Sequence, residues 1–237
     1  MKKGKVVLKG CVPCLIAIAL MYGVTLVAVS LFQVACSLKG MSMEEYGNLD
    51  AGIWNQLGLV ATGCVHLTYI VVFYKWFQKR KLEVAAREKG KRLTVADCMG
   101  LIGLGVVLQF VVSALLQWIL PLFPKVNESY QELFQSLVPG NSLLAFIITG
   151  FLAPVGEELI FRGVTISLMK DSLPFVWVNV VQAFLFGFYH MNLVQFLYAF
   201  AIGMVLGLVY KRYRNIKACI LVHGTVNLLA NIISFIG

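Results

Sequence analysis

Three short stretches near the C-terminal end of this sequence carry side chains able to do chemistry. "GEELIFRG" (156–163) holds Glu157, Glu158 and Arg162; "FGFYH" (186–190) holds Phe186 and His190; "HGTVN" (223–227) holds His223 and Asn227. Glu158 and Arg162 lie four apart in the more favourable acid-before-base order, so on a helix they can neutralise each other. Glu157 is rotated about 100° from Glu158. One guanidinium cannot neutralise two carboxylates, so Glu157 needs a different partner. Two of the chain's three histidines, His190 and His223, lie in this same part of the sequence.

A glutamate and two histidines, here Glu157, His190 and His223, suffice to hold a catalytic zinc or similar divalent metal with one open position. The bound water would become a nucleophile near neutral pH. Without a metal, Glu157 and His190 could hold and deprotonate a water directly. His223 and the Asn227 amide would then donate to the oxyanion of a tetrahedral intermediate. Either version hydrolyses an amide. Proton relays and carriers also use ionisable residues within membranes, so the constellation alone leaves transport open. His66 shares no local pattern with another ionisable residue and reads as a packing residue.

These residues sit among long apolar runs. The chain has 237 residues, 59% apolar and 13% charged, with a mean hydropathy of +0.83. A span needs roughly 20 mostly apolar residues, and runs of that kind fall at 10–38, 51–74, 98–122, 142–169, 173–189, 192–210 and 218–237. Strands would be far shorter, and only helices or closed barrels satisfy the backbone in lipid. The expectation is an all-α polytopic membrane protein of about seven transmembrane helices. Residues 1–140 would supply three of them and 141–237 a catalytic core of four. The first run lacks a small-residue cleavage site and is expected to be retained.

Charge gives the expected orientation. Lys2, Lys3, Lys5 and Lys9, eight Lys/Arg in 75–97, Lys170 and four in "KRYRNIK" (211–217) put seventeen of twenty basic residues at one end. The positive-inside rule makes that end cytoplasmic, so the N-terminus is expected inside and the C-terminus outside, most simply in a plasma membrane. The net charge of +9 reads as topology and contact with anionic lipid, not nucleic-acid binding. The polar 75–97 stretch is expected to form an interfacial helix, with Thr94 and Asp97 starting the next span. The 123–141 stretch is expected to form an amphipathic external one. Six scattered cysteines read as small apolar residues; "CVPC" (11–14) has redox spacing without the βαβ context that would support it.

Helix geometry brings some of the chemistry together and strains the rest. Across the turn at 169–174, Glu157 and His190 are nearly equidistant from the bend and so can face each other. His223, however, lies near the cytoplasmic end of its run, whereas Glu157 and His190 lie about 24 Å from that end on ideal helices. One site therefore requires a distortion: the 169–174 hairpin projects beyond the lipid, or the 192–210 helix tilts or breaks, for which "HMNLVQF" (190–196), with Asn192 and Gln195, could serve. Gly203 and Gly207 read as close packing between helices.

The segments EELIFR, FGFYH and HGTVN, in that order on successive apolar helices, resemble the EExxxR, FxxxH and HxxxN motifs of the CPBP family of membrane proteins. That family contains type II CAAX prenyl endopeptidases and bacterial relatives linked to bacteriocin processing and self-immunity. The resemblance covers roughly 142–235. It implies that Glu157 and His190 activate the water and that His223 and Asn227 complete the site. Glu158, Arg162 and Phe186 would support it. It also implies a membrane-associated peptide or lipidated protein as substrate, with or without a metal. A non-catalytic peptide-binding or self-immunity protein is the competing expectation. Seven spans can house the site alone, so a monomer is expected.

Overall fold

The computed structural model describes residues 3–85, 90–128 and 143–236. Among these residues every regular element is helical. We number the main helices α1 (Lys3–Leu38), α2 (Met43–Gly47), α3 (Ala51–Ala85), α4 (Val95–Ile119), α5 (Leu143–Met169), α6 (Phe175–Tyr189), α7 (Leu193–Tyr213) and α8 (Ile216–Ile236). Six are long and apolar enough to cross a membrane: α1, α3, α4, α5, α7 and α8. The seventh expected span, α6, has 15 residues, or about 22 Å, short of a hydrocarbon core of about 30 Å. The chain is thus an all-helical, multi-pass membrane protein. Its outer faces carry apolar side chains such as Leu26, Phe110, Trp118 and Trp177, which lipid can cover without a polar cost.

Local signals account for the helix boundaries. Thr94 caps α4 reciprocally with Asp97, each side chain taking the other's backbone N–H, so two of the orphan donors of the first turn are satisfied. Helix α3 runs on without a break to Ala85 in place of a separate interfacial helix at 75–85; residues 86–89 lie outside the described residues. The external helix expected over 123–141 lies largely outside them too, with 124–128 helical. At the other end of α6 a tight turn leads into α7, which runs unbroken over Leu193–Tyr213. His190 closes the helix, Met191 takes a left-handed φ of 54°, and the Asn192 side chain accepts the Gln195 N–H to start α7.

Helix α5 is the central element and is not a regular α-helix. Two π-helical stretches, Ile148–Leu152 and Leu159–Thr165, interrupt it. Such wide turns gather at functional sites because they turn side chains off the α-helical register. The main apolar cluster joins α1 (Cys14, Ala17), α3 (Val65, Tyr69, Phe73), α5 (Leu159, Ile160, Phe161, Val164), α6 and α7. A second cluster joins Leu101 of α4 to α7 and α8. Helices from the first 140 residues therefore wall in the later ones.

The basic segments meet at one end of the bundle. The Lys91 N–H donates to the Tyr213 carbonyl at 2.8 Å, and the Asn215 amide donates to the Lys91 carbonyl at 3.1 Å. Arg80 donates to the Ser167 carbonyl at 2.8 Å. The charge clusters read from the sequence are thus neighbours in space. All six cysteines are free thiols.

Candidate active site

The centre of the site is a fully buried ion pair on α5. Arg162 Nη1 donates to Glu158 Oε1 at 2.8 Å, and neither side chain has any exposure. Burial on this scale demands pairing, because an isolated charge in an apolar interior costs several kcal/mol. The same Glu158 oxygen accepts His223 Nδ1 from α8 at 2.9 Å. A carboxylate can only accept, so Nδ1 of His223 carries the proton and its Nε2 is left bare in the neutral ring. That Nε2 lies 3.7 Å from Glu157 Oε2. This is too far for a direct hydrogen bond, but a water beside the pair can donate to both atoms at about 2.8 Å.

Phe186 of α6 gathers the remaining groups. The Arg162 guanidinium lies over its ring, 4.4 Å from the centroid. The rings of His190 and His223 meet it edge-on at 5.1 and 5.6 Å. His190, at the C-terminal end of α6, directs Nδ1 at the Phe186 carbonyl, 2.8 Å away. A carbonyl also only accepts, so the proton again sits on Nδ1 and Nε2 is bare. The helix end itself explains this, since the last carbonyls of a helix lack intrahelical partners. Glu157 has its imidazole neighbour in His223, 3.7 Å away, whereas the hairpin geometry suggested His190.

Asn227 meets the site indirectly. Its Nδ2 donates to the Thr149 carbonyl at 2.9 Å, and Asn231 Nδ2 donates to Thr149 Oγ1 at 2.7 Å. Pro154 explains why that carbonyl is available: it lies five residues on, where a π-turn would supply an N–H, and proline has none. Asn227 thereby ties α8 to the upstream π-turn of α5 and keeps one amide hydrogen unspent.

Several residues reach the site that the sequence did not single out. Gln182 is fully buried; its amide donates to the Gly203 carbonyl and to Asn179 Oδ1, each at 2.8 Å. Arg162 Nη2 donates to that same carbonyl at 3.4 Å. A chain of contacts thus runs from α7 through Arg162 and Glu158 to His223. Gly203 and Gly207 do more than pack: a Cβ at 207 would fall on the Asn179 amide. Tyr189 donates to Tyr69 at 3.1 Å, and Tyr69 to the Ala17 carbonyl at 2.7 Å. Both phenols lie within electrostatic reach of Glu157. His66 of α3 is buried, with its ring edge-on to Tyr69 at 5.5 Å. It too lies within electrostatic reach of His190 and His223. The signal for this front-half contribution was the spacing of His66, Tyr69 and Phe73 on one face of α3.

Glu157, His190 and His223 are the donors expected for a divalent metal. Among the described residues no three His, Cys, Asp or Glu side chains converge closely enough to hold one. His223 and His190 each give Nδ1–H to an oxygen and leave Nε2 bare, as metal-ligating imidazoles do, so the donor chemistry suits a metal although the side chains are not gathered to hold it.

These features define a polytopic helical membrane protein with a buried carboxylate–imidazole site walled by both halves of the chain. Comparison with known proteins places the later half. Residues 139–229 match the model of the Rce1-like family, described as type II CAAX prenyl endopeptidase Rce1-like. The chain is also similar to YdiL of Bacillus subtilis (strain 168), provisionally named a membrane peptidase, with 26% identity over 84 residues. That alignment covers 35% of this chain and 34% of YdiL, so the chain spans about a third of its relative's length. No solved structure gives a significant match. The likenesses support a membrane peptidase in general.

Proposed function

We propose that this protein is an intramembrane endopeptidase that hydrolyses a peptide bond of a membrane-associated substrate with a water activated by Glu157 and the imidazoles. The observation that carries this reading is the arrangement around Glu157. Its carboxylate lies 3.7 Å from a bare imidazole nitrogen of His223, and Glu158 holds the other nitrogen of that ring. A packing role needs no such pair of opposed acceptors at the end of a buried network. Water between them donates one hydrogen to Glu157 and the other to imidazole, which aims an oxygen lone pair away from both.

In this reading Glu157 removes the water proton as the oxygen attacks the scissile carbonyl, His223 Nε2 holds the second hydrogen, and the bare Nε2 of His190 is a further base of the site. The proton on Glu157 then passes to the departing amine, so the carboxylate is regenerated. Glu158 and Arg162 keep His223 in one tautomer and orientation, and Phe186 spaces the two histidines. The unspent hydrogen of Asn227 is the motif donor left for the oxyanion. The water is held by side chains alone, and a divalent metal such as zinc is the variant that a chelator tests.

The substrate class follows from the family likeness: a prenylated CAAX-type C-terminus, or a leader peptide delivered from the membrane. The protein acts as a monomer in a plasma membrane, with its basic end and N-terminus cytoplasmic and its C-terminus external. The test is cleavage of a fluorogenic prenylated CAAX-type peptide and a leader-peptide panel by purified protein, with and without chelator. Cleavage abolished by Glu157→Gln and His190→Ala and indifferent to chelator is the expected result. Loss in chelator with recovery on added zinc would return the water to a metal. Cleavage that survives Glu157→Gln would refute the assignment of the base. No cleavage of any peptide would favour the non-catalytic peptide-binding or bacteriocin self-immunity reading.

A further inference from the structure

His66 is the one histidine outside the three motifs and outside the stretch that matches the family. Its side chain is 95% buried, at 5% residual exposure. Its Nδ1 has no hydrogen-bond partner. That nitrogen is packed against Gly156, the residue before Glu157: a Cβ added at 156 would lie 3.4 Å from it. The His66 ring meets Tyr69 edge-on at 5.5 Å, Tyr69 meets Tyr189 at 6.2 Å and Tyr189 meets His190 at 5.6 Å, so a run of ring contacts joins it to the site.

The tautomer follows from that packing. A buried N–H with no acceptor is among the rarest of native features, whereas an acceptor short of one partner is better tolerated. The Gly156 Cα–H can also offer Nδ1 a weak donor contact. Nδ1 of His66 is therefore the bare nitrogen and Nε2 carries the hydrogen. The other two rings are the reverse. Their Nδ1–H groups are spent on the Phe186 carbonyl and on Glu158, which leaves each Nε2 bare. With Nδ1 paired in His190 and His223 and packed in His66, Nε2 is the remaining ring nitrogen of each, an acceptor in two and a donor in the third.

Resting on the endopeptidase reading, we propose that His66 is a further catalytic residue: its Nε2–H donates to the scissile carbonyl oxygen as that oxygen gains charge. Water oxygen bonds to the carbonyl carbon, and the carbonyl π pair moves onto the oxygen. The His66 hydrogen bond shortens there without giving up its proton. Two bare nitrogens suit a water that must donate, and the hydrogen-bearing one suits an oxygen that must accept. A preorganised donor of this kind acts in the transition state more than in the bound substrate, so it acts on kcat.

The experiment compares His66→Phe, which keeps a ring against Tyr69 and Gly156 but has no donor, with His66→Gln, whose amide keeps an N–H near the Nε2 position. Full-length protein is assayed in nanodiscs, with Glu157→Gln alongside and melting temperature as the check on folding. His66→Phe is expected to fold and to lose about 100-fold in kcat at unchanged KM, and His66→Gln to stay within about tenfold of wild type. Wild-type kcat in His66→Phe, a loss confined to KM, or equal loss in both variants would overturn the proposal. Nitrogen-15 spectra of the ring decide the point without substrate. The Nε2–H tautomer supports the donor role, and an Nδ1–H or doubly protonated ring overturns it. If cleavage ignores Glu157→Gln, the water assignment fails, while the spectra still decide the state of His66.

Discussion

Arg162→Met should be among the most destabilising single substitutions in the molecule, and Glu158→Gln should rescue it. The two side chains are unexposed and 2.8 Å apart. At an effective dielectric of about 20 that separation is worth about 6 kcal/mol of attraction, much of it offset by the desolvation that both groups have already undergone. Removing the arginine leaves the desolvation of Glu158 in place and takes the attraction away, together with the contact to the Gly203 carbonyl and the stacking on Phe186. Breaking a buried pair from one side costs about 3–5 kcal/mol. In the double variant the partner is a neutral amide, whose oxygen still accepts His223 Nδ1. It should recover about 2–3 kcal/mol of the loss, a coupling well beyond what independent sites show. Unfolding free energies of the four proteins, measured in lipid bilayers by steric trapping, close the cycle. Additive effects, or a cost below about 1 kcal/mol for Arg162→Met, would mean that the buried pair is not the structural centre of the site.

Two further outcomes follow from the same structure. Asn227→Ala should cost about 1 kcal/mol, because it strands the Thr149 carbonyl that Pro154 leaves without a partner, and Pro154→Ala should recover part of it by restoring an N–H to the helix; thermal melts of the single and double variants show whether the two effects are coupled. Gly207→Ala should destabilise by at least about 2 kcal/mol, since its methyl would fall on the Asn179 amide and reach the Gln182 amide, whereas Gly156→Ala, whose methyl would find its nearest neighbours at 3.3–3.5 Å, should cost under about 1 kcal/mol; unfolding in detergent compares them directly.

The sequence by itself determined the membrane architecture, because hydrophobic length and the fate of backbone polar groups in lipid leave a single class of solution. It also determined the Glu158–Arg162 pair, since a four-residue spacing on a helix is local geometry. The Thr94–Asp97 cap and the Asn192 cap at the start of α7 were legible for the same reason: each depends on a few neighbouring residues. The count of full spans was less so, because apolarity alone does not separate the 15 residues of α6 from a helix that crosses. Tertiary structure alone decided which carboxylate takes which histidine. Equidistance across a hairpin pointed Glu157 at His190, but α8 crosses α5 so that His223 meets both Glu157 and Glu158. The π-turns of α5 were hidden too, although Pro154 marks one, since a wide turn persists only where a neighbouring helix satisfies what it frees. His66 was hidden for a related reason. No Asp, Glu, Lys, Arg or second His lies within a few residues of it, and Gly156 of α5 meets it only when the front helices pack against the later ones.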